Sequence, residues 1–161
     1  MASVVFLCAS WSAAGAAEIE RAEAYHVAAT KTFFALSVGD IKTMKDWYAR
    51  MLDMAVLAEG ERPAPNGSYA MLKGDGILIE MQMRQDAVDS HTYSDGLKET
   101  WKLHGAFKVG VFVTDIEAAE SAMKERGVGF VHGIVTTSQP LSLRTFSIVD
   151  PEGNMVQFFG E

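Results

Sequence analysis

The sequence predicts an α+β fold made of two βαβββ modules, and three observations carry that expectation. The segments FFALSVGDIKTMKDWYARMLDM, from Phe33, and KVGVFVTDIEAAESAMKERGVG, from Lys108, follow one plan: an apolar strand, Val-x-Asp-Ile, then an amphipathic helix. Val38-Gly39-Asp40-Ile41 lies over Val113-Thr114-Asp115-Ile116 at one constant offset. Strand-like runs follow each helix, and the last two of each half are joined by a turn-forming stretch. Neither half can bury a sheet face alone, so the two copies are expected to pack about a pseudo-twofold axis.

The elements follow in order. Phe33 to Val38 is an apolar strand ending at Asp40, which is placed to cap the first turn of a helix with its carboxylate. Ile41, Met44, Tyr48, Met51 and Leu52 fall on one helical stripe. Strands are expected at about Met54–Glu59, Ser68–Lys73 and Ile77–Met83, the last two joined by Gly74-Asp75-Gly76. In the second half, Asp115 is the expected cap, Ile116, Ala119 and Met123 form the stripe, and Gly127 stops the helix. Its strands are expected at about Val128–Val135, Arg144–Val149 and Met155–Phe159, with Asp150–Asn154 as the final turn. Glu59–Gly67 and Thr136–Arg144 are expected as loops, and the polar stretch 85–103 as a linker with one helical turn.

A chain of 161 residues with 48% hydrophobic residues has the size and core of one compact domain or two small halves. Its net charge of −7, without a basic cluster, argues against nucleic acid and anionic membrane surfaces as partners. Cys8 is the one cysteine, which excludes an internal disulfide and a cysteine-based zinc site. The opening MASVVFLCASWSAAGAAEIE has an apolar run, Val4 to Trp11, and a small-x-small cleavage signal at Ala14-Gly15-Ala16. It lacks the positive segment that completes a secretory signal peptide, since Arg21 is the first basic residue. Residues 1–17 are therefore expected as a signal peptide, with a periplasmic or secreted product, or else as an apolar arm on a cytoplasmic one. Residues 18–30 form an N-terminal arm in either case, and 31–161 the domain, with modules at about 31–84 and 104–161.

The phrases LSVGDIKTMKDWYARML, VFVTDIEAAESAMKERGV and DPEGNMVQFF resemble the vicinal oxygen chelate superfamily, which groups glyoxalases, bleomycin-resistance proteins and extradiol dioxygenases. The resemblance spans Lys31 to Glu161 and implies that the modules curl into a mixed sheet around a central cavity. It also implies a divalent ion held by His, Gln and Glu on the first and last strands of the modules. Those positions fall here on Phe33, Glu80, Lys108 and Gln157. Phe33 cannot coordinate, Lys108 would have to lose its proton, and Gln157 offers a neutral carbonyl. No cofactor is expected on this reading, and a divalent metal only through a rearranged site such as His104 with Glu80. The four histidines, His26, His91, His104 and His132, show no ligand spacing, and surface or loop positions account for them better than a shifted site does.

Two readings stand for the residues left at the lost site. Lys108 and Glu80 form a salt bridge in the space of the metal, or they act on a ligand. In the second case Lys108 clamps a carboxylate or enolate oxygen and Glu80 serves as a general base. Strand alternation adds Ala35, Ser37, Gln82, Gly110, Phe112 and Phe159 to the inward row, with Arg84 at its edge facing an anionic group. Phe33, Phe112, Gln82, Arg84 and Gln157 are thus the expected ligand-binding residues, and Trp101 is a candidate cover. The resemblance leaves three functions open: metal-free binding of a small organic molecule, which is favoured, a lyase, isomerase or dioxygenase, or a noncatalytic partner role on the same scaffold. A homodimer is expected from the family habit.

Overall fold

The structure, a computed structural model, describes residues 33–62, 67–94, 108–139 and 142–160. The signal-type segment, the N-terminal arm, Trp101 and His104 lie outside the described residues. In chain order the elements are β1 (Phe34–Ser37), α1 (Ile41–Met51), β2 (Ala55–Arg62), β3 (Gly67–Lys73), β4 (Leu78–Arg84) and α2 (His91–Ser94). They continue with β5 (Lys108–Phe112), α3 (Ile116–Glu125), β6 (Gly129–Thr136), β7 (Arg144–Val149) and β8 (Met155–Gly160). Two four-stranded mixed sheets result, ordered β1-β4-β3-β2 and β5-β8-β7-β6. In each, the first strand runs parallel to the last and the other pairs are antiparallel. The expected repeat is therefore present element by element.

The helices begin and end where their caps dictate. Asp40 accepts from the Thr43 amide at 3.0 Å and Asp115 from the Ala118 amide at 2.9 Å, each filling an orphan donor of a first turn. Gly127, just past α3, adopts φ +71°, a left-handed turn that costs glycine little. Met44, Trp47, Tyr48 and Met51 are the buried face of α1, and Ile116 and Met123 that of α3. They pack on Ala70, Leu72, Ile79 and Met81 of the first sheet and on Phe146, Ile148, Val156 and Phe158 of the second. Each sheet thus buries one face under its helix and turns the other away.

One boundary differs from the expectation. Strand β2 runs to Arg62 rather than stopping at Glu59, so half of the expected loop Glu59–Gly67 is strand. The reason is a cross-strand contact that composition does not show. Tyr69 lies across Gly60, where a Cβ would come within 3.1 Å of the ring, and the Arg62 guanidinium sits 5.4 Å from its centroid.

The turn Asp150–Asn154 does more than reverse the chain. The Asp150 carboxylate accepts from the Glu152 and Asn154 amides and the Asn154 side chain, and it also receives the Tyr48 hydroxyl of α1 at 3.0 Å. Glu152 accepts from the Gly39 and Asp40 amides at 2.8 and 3.0 Å. A second tie joins the far ends of the helices, where Arg126 donates to the Met51 carbonyl at 2.6 Å and to Asp53 at 3.0 Å. Burial, first, and the adjacent Asp150 carboxylate push the Tyr48 phenol well above its ordinary pKa. This turn locks one module to the other, which is a structural reason to keep it whatever the strand after it carries.

Candidate functional site

Strand alternation places Phe33 just before β1, Ala35 and Ser37 of β1, and Lys108, Gly110 and Phe112 of β5 on the helix-free faces, and all six are exposed. Register then fixes their neighbours. Ala35 lies beside Glu80, and Glu80 beside Met71. Gly110 lies beside Gln157, and Gln157 beside Ser147. The two modules meet at a cleft of about 620 Å³ whose lining includes Phe33, Phe34 and Leu78 from one side and Lys108, Val111 and Phe112 from the other.

On the first module the polar centre is Glu80. Its Oε1 accepts from Gln82 Nε2 at 2.7 Å, and Arg62 Nη2 stands 3.6 Å away. Both partners belong to Glu80's own module. The expected row of Glu80 and Gln82 is formed, but its cation is Arg62, from a stretch expected as loop. Arg84, expected at the edge of that row to meet an anionic ligand, pairs with Asp86 two residues on, at 2.9 and 3.0 Å. It stands at the end of its strand, where the chain turns away from the sheet.

On the second module a directed chain of hydrogen bonds runs across the sheet. Lys108 Nζ donates to Gln157 Oε1 at 2.5 Å. Gln157 Nε2 donates to Thr145 Oγ1 at 2.8 Å, and Thr145 donates in turn to the Phe158 carbonyl at 2.7 Å. This polarity suits an amide. The Thr145 hydroxyl spends its proton on Phe158, so it can only accept from residue 157, and a carboxylate there has no proton to give. Gln157 and Thr145 are both buried, which makes an unmatched donor costly. Beside this chain, Phe112 stacks on Phe159 with centroids 5.3 Å apart, and Phe112 is 75% exposed.

Strand alternation on β7 adds Ser147, which sequence reasoning did not single out. Phe146 and Ile148 enter the core under α3, so Thr145 and Ser147 occupy the opposite face. The Ser147 hydroxyl is fully buried and makes no hydrogen bond. The pattern Arg-Thr-Phe-Ser-Ile-Val shows this alternation plainly, and parity along it is the signal that names both residues.

The fold's usual divalent ion does not fit the four positions. Glu80 is the sole carboxylate among them, the Gln157 carbonyl oxygen is occupied by an ammonium, and Phe33 has no donor. Among the described residues no three His, Cys, Asp or Glu side chains gather as a ligand set.

Comparison with known proteins agrees with this architecture. The family model of the glyoxalase/bleomycin resistance protein/dioxygenase superfamily matches residues 26–158. A glyoxalase family protein from Enterococcus faecalis superposes with a TM-score of 0.66 at 18% identity, over 79% of this chain and 94% of that one. A glyoxalase family protein from Bacillus cereus gives 0.64 at 16%, over 84% and 96%. A glyoxylase/bleomycin resistance protein/dioxygenase domain from Frankia sp. EAN1pec gives 0.62 at 13%, over 83% and 93%. No curated protein sequence matches the chain. The paired modules and the family match together make this chain a member of the glyoxalase/bleomycin resistance protein/dioxygenase superfamily.

Proposed function

We propose that this chain binds a small organic molecule on its helix-free faces without a divalent metal, a fixed lysine standing where the superfamily places a metal ligand. The observation that carries this reading is the bond from Lys108 to Gln157. It joins two of the four usual ligand positions to each other and leaves a positive charge of the protein's own among them. An apolar cleft with a few convergent polar groups is how small-molecule sites are commonly built. Phe33 and Phe112, 61% and 75% exposed, supply the apolar part.

The test combines metal analysis with a neutral aromatic fluorophore, N-phenyl-1-naphthylamine. Elemental mass spectrometry of the purified chain should find no stoichiometric Mn, Fe, Ni or Zn. The fluorophore should bind equally with and without a chelator, and Phe112→Ala should weaken it by about 5-fold, the effect of one lost aromatic contact. Stoichiometric metal, or binding abolished by the chelator, would overturn the reading.

A second reading rests on Glu80, a carboxylate on the helix-free face whose Oε1 accepts from Gln82 and stands 3.6 Å from Arg62. A carboxylate oriented in this way is placed to accept a proton from a bound substrate, as in a lyase or isomerase. Its mark would be turnover that Glu80→Gln abolishes while probe binding survives.

A further inference from the structure

Two buried hydroxyls in the described residues make no hydrogen bond, Ser68 and Ser147. They lie on different faces. Ser68 alternates with Ala70 and Leu72, which enter the core, so it belongs under α1. Ser147 lies on the helix-free face, paired in register with Gln157. An unmatched buried hydroxyl costs about 1–3 kcal/mol, and a native fold that keeps one calls for an explanation. Valine or alanine would fill the Ser147 position without that cost.

The surroundings of Ser147 point to one chemistry. The Lys108 ammonium supplies positive charge to the same face, held there by Gln157. One row along the strands, Phe112 and Phe159 present a stacked aromatic surface in register with Thr145. Rows two residues apart are separated by about 6.6–6.8 Å, close to the span from the far ring of a fused bicyclic aromatic acid to its carboxylate and well beyond that of a single ring. A hydroxyl donor, a cation and a flat apolar surface at that spacing match a planar aromatic carboxylate.

We propose that the second module binds an aromatic carboxylic acid, its ring on Phe112 and Phe159 and its carboxylate taken by Lys108 and the Ser147 hydroxyl. This rests on the binding function above and names the class of ligand. Ser147 is then a specificity-determining residue, whose hydroxyl is matched when the acid is bound. The opposite module does not duplicate the site, since the positions equivalent by register to Lys108 and Ser147 are Phe33 and Met71.

Calorimetric titration of the full chain with naphthalene-2-carboxylate and its neutral isostere 2-naphthamide tests the proposal. The carboxylate should bind at least about 10-fold tighter than the amide, a preference that Lys108→Met should erase. Ser147→Ala should weaken the carboxylate by about 5- to 20-fold, as expected for one hydrogen bond to a charged group. Ser68→Ala should leave both titrations unchanged, and melting temperatures of each variant show that the fold is retained. Equal affinity for acid and amide, or a Ser147→Ala protein that binds the acid as the parent does, would overturn the proposal. Should the neutral fluorophore bind while the acid shows no preference, this inference falls and the binding function stands. Should neither probe bind, both fall.

Discussion

The two modules have the same strand order and equivalent register, yet their helix-free faces are close to chemical complements. Where the first carries Phe33, Met71 and Gln82, the second carries Lys108, Ser147 and Phe159 at the positions equivalent by register. Ser37 is answered by Phe112, and Glu80 by Gln157. The buried faces show no such exchange, for apart from Ser68 under α1 both are apolar. The contrast teaches where a duplicated fold is constrained. A core face must match its helix in volume and polarity, whereas the helix-free face is held only by its own hydrogen bonds and is freer to vary with what it binds.

The turns before the last strands differ in the same spirit. Gly74-Asp75-Gly76 is a tight hairpin closed by the Gly74 amide on the Ile77 carbonyl at 2.9 Å, and Asp75 is exposed. Asp150, by contrast, is buried and accepts four hydrogen bonds, one of them from the other module's helix. The largest expected effect separates these turns. Asp150→Ala should destabilise the protein by about 3–4 kcal/mol in urea unfolding, since it strands several donors at once, while Asp75→Ala should change it by less than about 0.5 kcal/mol. Similar losses at both positions would mean that the second turn does not lock the modules.

A smaller effect should separate the open faces. Thr145→Val keeps the shape but removes both the acceptor for Gln157 and the donor to the Phe158 carbonyl. It should cost about 1–3 kcal/mol, whereas Tyr69→Phe, the equivalent position by register, should be near neutral. Should the two losses match, the hydrogen-bond chain from Lys108 contributes nothing to the fold.

The smallest effect concerns alkaline pH. The Tyr48 phenol is raised above its ordinary value of about 10, chiefly by burial, so the folded state favours its neutral form. Its contribution is complete below pH 10 and is lost as pH rises above that value toward the folded pKa. The parent chain should therefore lose stability above pH 10 more steeply than Tyr48→Phe. Parallel curves from thermal melts between pH 8 and 11 would show that the phenol is not buried beside Asp150 in solution.

Much of this was legible before any coordinates. The repeat, the caps Asp40 and Asp115 and the stop at Gly127 follow from local periodicity and turn chemistry, which act over a few residues, whereas the row of Phe33, Glu80, Lys108 and Gln157 was an expectation from the family resemblance. The extension of β2 to Arg62 was not legible, because the Tyr69 ring that holds it lies on another strand. Nor was the pairing of the charges. The sequence left Lys108 and Glu80 as candidate partners, and the fold engages one with Gln157 and the other with Arg62 and Gln82. Sequence by itself determined the elements, their order and which side chains share a face, since those depend on local periodicity and covalent neighbours. Tertiary structure alone decided that Gln157 is the amide that Lys108 and Thr145 require, that Asp150 ties one module to the other, and that the Ser147 hydroxyl is buried without a partner. Each of those rests on a cross-strand or inter-module approach of a few ångströms, and such distances exist only once the chain has closed on itself.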